Sequence, residues 1–116
     1  MELLTPKLEQ QLRAANKGSG SKKILAKLFN PLGSGTWLLT SMDADGDTLW
    51  CVADLGLGCV EFGTVSLNEL KSIKLPFGLG IERDLHFDPE GLEVKHFLEQ
   101  DHINVNEARR HAEGVS

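Results

Sequence analysis

The chain contains no tyrosine, and its aromatic residues amount to two tryptophans and five phenylalanines. That leaves little of the stacking platform on which proteins hold single-stranded nucleic acid, so Trp37, Trp50 and the phenylalanines are expected mostly in a core. Cysteine is scarce too, with only Cys51 and Cys59. A small secreted domain usually carries more, and the spacing is not that of a metal-binding Cys-x-x-Cys. Both are expected as reduced, small core residues. No apolar run approaches the length that spans a bilayer. The first residues, Met1 to Pro6, carry Glu2 where a signal peptide needs a basic segment, so a cytoplasmic location is expected, with no membrane partner.

Nucleotide and acyl-transfer motifs are missing as well. Gly56-Leu57-Gly58 and Gly78-Leu79-Gly80 lack the third glycine of a dinucleotide loop. There is no Gly-Lys-Ser/Thr phosphate loop and no Gly-x-Ser-x-Gly elbow. No cofactor is expected from the sequence.

What remains is the composition of one globular domain: 116 residues, 41% hydrophobic and 25% charged. The net charge of −5 is unevenly spread. Residues 1–42 hold six basic and two acidic residues, a net of +4, whereas residues 43–116 hold six basic and fifteen acidic, a net of −9. Phosphate binding needs a basic footprint, so a nucleic-acid partner is not expected from the chain as a whole. The local cluster Lys17, Lys22, Lys23 and Lys27 is the place where one would bind. Such lysines more commonly mark a solvated strand edge.

Hydrophobic periodicity and turn residues order the chain. Thr5-Pro6 starts a helix that carries Leu8 and Leu12 on one stripe and ends near Ala15. Asn16 to Ser21 is a flexible connector. Four strands follow, at Lys22–Phe29, Thr36–Met42, Thr48–Asp54 and Cys59–Val65. In the second strand Trp37 and Leu39 share one face and Leu38 takes the other. Asp45-Gly46 suits a type I′ hairpin. Ser66-Leu67-Asn68-Glu69 is a capping box opening a short helix to about Ser72. Ile81–Phe87 alternates as a fifth strand, with Arg83 on its apolar face. Pro89–Gln100 is read as a third helix, weakened by Gly91. The expectation is an α+β domain over residues 1–102: an antiparallel sheet of about five strands with two or three helices on one face, in two layers. Residues 103–116 read as a polar C-terminal tail, with one helical turn near Glu107–His111 and partial disorder at its end.

Three constellations carry chemistry. Asp43, Asp45 and Asp47 alternate, and carboxylates in that pattern can converge on a hard cation. Their glycine falls at the wrong position for a calcium-binding hand, and an acidic hairpin tip explains them as well. Glu82-Arg83-Asp84 places two carboxylates on one strand face and the guanidinium on the other. An inward Arg83 would need a carboxylate partner, because an unpaired buried charge is very costly. His86 shares the Glu82/Asp84 face, so the three form a candidate metal set, with a surface histidine as the plainer alternative.

The strings Met1-Glu2-Leu3-Leu4-Thr5-Pro6, Thr36-Trp37, Ser66-Leu67-Asn68-Glu69-Leu70 and Gly78-Leu79-Gly80-Ile81-Glu82-Arg83-Asp84-Leu85-His86-Phe87 resemble a bacterial family, domain of unknown function 2958. The resemblance covers residues 1 to about 90 and fails after Pro89. It implies a passenger of plasmids and other mobile elements, found beside transfer and anti-restriction genes. It implies no activity.

The function expected is therefore that of a non-enzymatic accessory protein of a bacterial mobile element, working by protein–protein contact. Glu82, Arg83, Asp84 and Trp37 are the interaction candidates. A sharper form is an acidic inhibitor or DNA mimic directed at host defence, of the anti-restriction or anti-CRISPR type. The rival is a small metal-dependent hydrolase or nuclease using Glu82, Asp84 and His86, with the hairpin aspartates in support. Nucleic-acid binding through the four lysines is the third reading.

Overall fold

Residues 2–15 and 22–114 are described by a computed structural model. The connector read at 16–21, with Lys17, lies outside them. The first helix, α1 (Pro6–Ala15), begins where the sequence places it. The Thr5 hydroxyl accepts the Leu8 N–H at 3.1 Å, and Pro6 occupies a position that needs no donor. Leu8 and Leu12 form its buried stripe.

Strands β1 (Ala26–Phe29), β2 (Thr36–Met42), β3 (Thr48–Asp54), β4 (Val60–Ser66) and β5 (Glu82–Arg83) form one antiparallel sheet in the order β4-β3-β2-β1-β5. The first four make the expected meander, and β5 returns to pair with β1. Helix α2 (Leu67–Ser72) follows β4 directly, and α3 (Val105–Ala112) closes the described chain. None of these helices is long and apolar enough to cross a membrane.

The class and the five antiparallel strands are as expected, but the helices divide between the two faces of the sheet rather than sharing one. Trp37 and Leu39 join Leu8 and Leu12 of α1 and Leu67 and Leu70 of α2 in one apolar cluster. Leu38, from the opposite side of β2, joins Val52, Leu92, Phe97 and Ala108 of α3 in a second. Consecutive strand residues point to opposite faces, so an unbroken Trp-Leu-Leu run demands cover on both sides. One bulge interrupts β2. Leu39 pairs with Cys51 and Ser41 with Trp50, leaving Thr40 as the extra residue. Its hydroxyl donates to the Trp50 carbonyl at 3.0 Å, which satisfies a side chain that is otherwise buried.

Four expectations change. The first strand is shorter. Residues 22–24 leave the sheet to run beside 92–94, with Ile24 N–H on the Leu92 carbonyl and Val94 N–H on the Lys22 carbonyl. The β2–β3 turn is not type I′, since of Asp45 and Gly46 only Gly46 has positive φ (+70°). A Cβ there would also meet Arg13 Nη2 at 2.8 Å. The fifth strand ends at Arg83 because the Asp84 side chain accepts the His86 N–H at 2.9 Å and turns the chain. Ile81 therefore packs in the first cluster and Phe87 against the second. Last, Pro89–Gln100 holds only a 3₁₀ turn, Val94–His96, after Gly91 takes a φ of +78°. The helix lies beyond it, at α3. Asn104 caps α3 by accepting the Glu107 N–H at 3.0 Å, and Ala108 is fully buried.

Asp47 joins hairpin to helix. Its carboxylate accepts the Ser66 hydroxyl and the Asn68 N–H, both at 2.8 Å, and its own carbonyl accepts the Leu67 N–H. Two otherwise unsatisfied amides of α2 thus end on one residue. Asp47→Ala should lower stability by about 1–2 kcal/mol in urea denaturation. A loss below a few tenths would show that water replaces these bonds at no cost.

Candidate functional site

The most unusual side chain on the surface is Phe77. It is 93% exposed, and it is the one non-glycine residue with positive φ (65°) among the described residues. The loop that holds it is tight: the Leu75 N–H donates to the Leu79 carbonyl at 2.9 Å, and the Leu79 N–H to the Pro76 carbonyl at 3.3 Å. Pro76 fixes one side of the tip and Gly78, at φ +72°, the other. The left-handed region is unfavourable for a bulky side chain, so these bonds hold Phe77 in a conformation that it would not choose.

Beside the loop lies a groove of about 670 Å³, walled by Leu79 and Ile81 on one side and Leu3, Leu4 and Leu70 on another. Glu2, Glu82 and Lys71 line it as well. Arg83 does not line the groove but ties down Glu2 and Leu3, which do. Its Nη1 donates to the carbonyls of Glu2 and Leu3, both at 2.7 Å. The guanidinium does lie on the face read from the sequence, opposite Leu28, but its partners are main-chain carbonyls and not the carboxylate expected. Main-chain oxygens carry enough partial charge to satisfy a half-buried guanidinium.

The rest of the Glu82-Arg83-Asp84 string is dispersed. Glu82 pairs with Phe29 in the ladder. Asp84 lies 3.4 Å from Lys27 Nζ and also holds the turn. His86 is exposed in that turn, so Glu82, Asp84 and His86 do not share a strand face. Trp37 is buried, its ring within 2.9 Å of where a Gly35 Cβ would stand, and is occupied by packing. The hairpin aspartates diverge: Asp43 accepts the Trp50 indole N–H at 2.9 Å, Asp45 the Asp47 and Thr48 amides, and Asp47 caps α2. The bonds from Thr48 and Asp47 hold the exposed Asp45 carboxyl down at about 2. Among the described residues no three His, Cys, Asp or Glu side chains are grouped to hold a metal. The lysines separate as well. Lys22 sits 5.5 Å over the Phe62 ring, Lys23 is exposed, and Lys27 pairs with Asp84. Both cysteines are free, and while Cys51 is buried as expected, Cys59 is exposed.

A second groove, about 650 Å³, runs between Thr36 and residues 99–107. Asp54 anchors that segment, and nothing in the sequence singled this residue out. It accepts the Ile103 N–H at 2.9 Å and the Gly56 N–H at 3.0 Å, and it lies 3.6 Å from His102 Nδ1. Burial pushes its pKa up, but the Ile103 and Gly56 amides and His102 outweigh that and hold it below the usual 3.8. A lowered folded-state pKa contributes stability above the unfolded value, and that contribution is lost as pH falls through the folded one. Acidification below pH 3.8 should therefore detach residues 99–107 and lower the urea midpoint of the native chain. Asp54→Asn should start with a lower midpoint at pH 7 and lose less of it on acidification. Equal acid sensitivity in the two proteins would show that Asp54 is not the anchor.

The sequence signal for the first site is the Pro-Phe-Gly-Leu-Gly string at 76–80, an aromatic residue placed between two turn-formers. No curated protein and no solved structure matches the chain. A family profile described as protein of unknown function (DUF2958) matches residues 3–104 of the 116, so the chain belongs to that family.

Proposed function

We propose that this chain is a non-enzymatic accessory protein of a bacterial mobile element, working in the cytoplasm through protein contacts, and that Phe77 with the adjoining groove is its docking face. One observation carries the reading: a large aromatic side chain is held out to solvent by a backbone conformation that disfavours it. Strain opposes folding, and a ring left in water contributes no burial to offset it; a partner that covers the ring supplies that burial. Leu79 and Ile81 continue the apolar surface into the groove, where Glu2 and Glu82 outnumber Lys71. The partner segment that suits it brings an apolar side chain flanked by Lys or Arg. The acidic remainder of the chain, −9 over residues 43–116, adds long-range attraction for a basic partner. An inhibitor that occupies the basic cleft of a host defence enzyme has this character.

Phe77→Gly separates folding from binding. Glycine accepts positive φ freely, so the variant should be more stable than wild type by about 1 kcal/mol. It should lose the partner that wild-type protein captures from host lysate, by tenfold or more in affinity. Binding by the wild type should also weaken as salt rises. Retention of the same partner at the same strength by Phe77→Gly would remove the proposal.

A further inference from the structure

The two edges of the sheet differ sharply. One is β5, two residues long and too short to template another strand. The other is β4, seven residues long, with the sequence Val-Glu-Phe-Gly-Thr-Val-Ser. It carries no Lys, Arg or Pro, the residues that commonly discourage edge pairing.

The ladder fixes which groups of β4 are free. The Leu67 N–H donates to the Asp47 carbonyl, so the paired residues Thr48 and Ser66 do not bond each other directly. Alternation then assigns both ladder bonds to Leu49–Val65, Cys51–Gly63 and Ala53–Glu61. The N–H and C=O groups of Val60, Phe62 and Thr64 point away from the sheet, and none has a hydrogen-bond partner among the described residues.

Gly63 is the second observation. It does not have positive φ, and a Cβ built on it meets nothing within 4 Å. Glycine weakens a strand interior, so its place in the middle of a seven-residue edge strand asks for a reason outside the strand. Nothing among the described residues requires it here.

We infer that β4 pairs antiparallel with β4 of a second copy, about a two-fold axis at Phe62, joining two sheets into one. In that register Val60 faces Thr64 of the other copy, and each of these residues and Phe62 both donates and accepts. Glu61 falls opposite Gly63, so its carboxylate meets no side chain and no like charge. The two-fold repeats this fit, which an arbitrary peptide strand would supply only by chance. On the opposite face the Trp50–Phe62 stack, 5.6 Å between centroids, continues into its symmetry copy. Phe77 takes no part, so this inference stands or falls separately from the docking face.

The test is sedimentation equilibrium of the full chain over a range of concentration. Wild type should reach twice the chain mass. Thr64→Pro removes an outward N–H that the chain's own ladder does not use, so it should be monomeric with an unchanged far-ultraviolet spectrum. Gly63→Glu sets carboxylates opposite each other and should raise the dimer dissociation constant on the order of tenfold, and Gly63→Lys should lower it by a similar factor. The gain in Gly63→Lys cannot arise from misfolding. A wild type that stays monomeric at every concentration overturns the inference. So does a dimer that both Thr64→Pro and Gly63→Glu leave intact.

Discussion

The constraint on which the rest of the structure depends is the run Trp37-Leu38-Leu39 in the middle of β2. Three successive large apolar residues cannot all face one side of a strand. Leu38 and Leu39 are both fully excluded from solvent, which requires cover above and below the same strand. Helices α1 and α2 supply one cover. The other is assembled from pieces with little regular structure: residues 22–24, the 92–97 stretch and α3. Because those pieces bury few of their own backbone groups in ladders, side chains such as Asp54 and Arg109 hold them in place. Arg109 donates to the carbonyls of Asp88 and Glu90, at 2.7 and 3.0 Å.

Legibility from sequence followed this division. The elements on the α1 side are locally determined, and their signals are local. Thr5-Pro6 opens α1, short apolar runs bounded by turn residues mark β2 and β3, and Ser66 accepts the Glu69 N–H at the start of α2. The cover on the other side is set by tertiary contacts. Pro89–Gln100 has the composition of a helix, yet Gly91 and the pairing of 92–94 with 22–24 turn it into extended chain and a 3₁₀ turn. Residues 105–112 look polar because α3 needs only Ala108, with support from Val105, to dock. A helix whose apolar positions are only Val105, Ala108 and Ala112 reads as polar on average, although those three fall on one face.

The candidate site was partly legible for a similar reason. Arg83 was correctly placed on the inner face, since register is a matter of alternation. Its partners, the Glu2 and Leu3 carbonyls, lie about 80 residues away in sequence, and no pattern reports a main-chain acceptor at that distance. The acidic strings misled in the opposite sense. Asp43, Asp45, Asp47 and Asp84 look like metal ligands by spacing, yet each holds a nearby donor of the chain itself. Short polar side chains in turns bond their own backbone, and that use leaves the same spacing as coordination.

The extra residue in β2 has a consequence for how this chain tolerates change in length. Before Thr40, odd-numbered residues of β2 face α1; after it, even-numbered Met42 does, alongside Leu49. The bulge thus resets the parity of the strand in its last turn before the hairpin. An insertion or deletion of one residue between Leu39 and Met42 would swap inside for outside for the whole distal hairpin, carrying Asp47 away from α2. A change of two would preserve the sidedness. Length variation in this segment is therefore expected in even steps, or paired with a compensating change at the bulge itself.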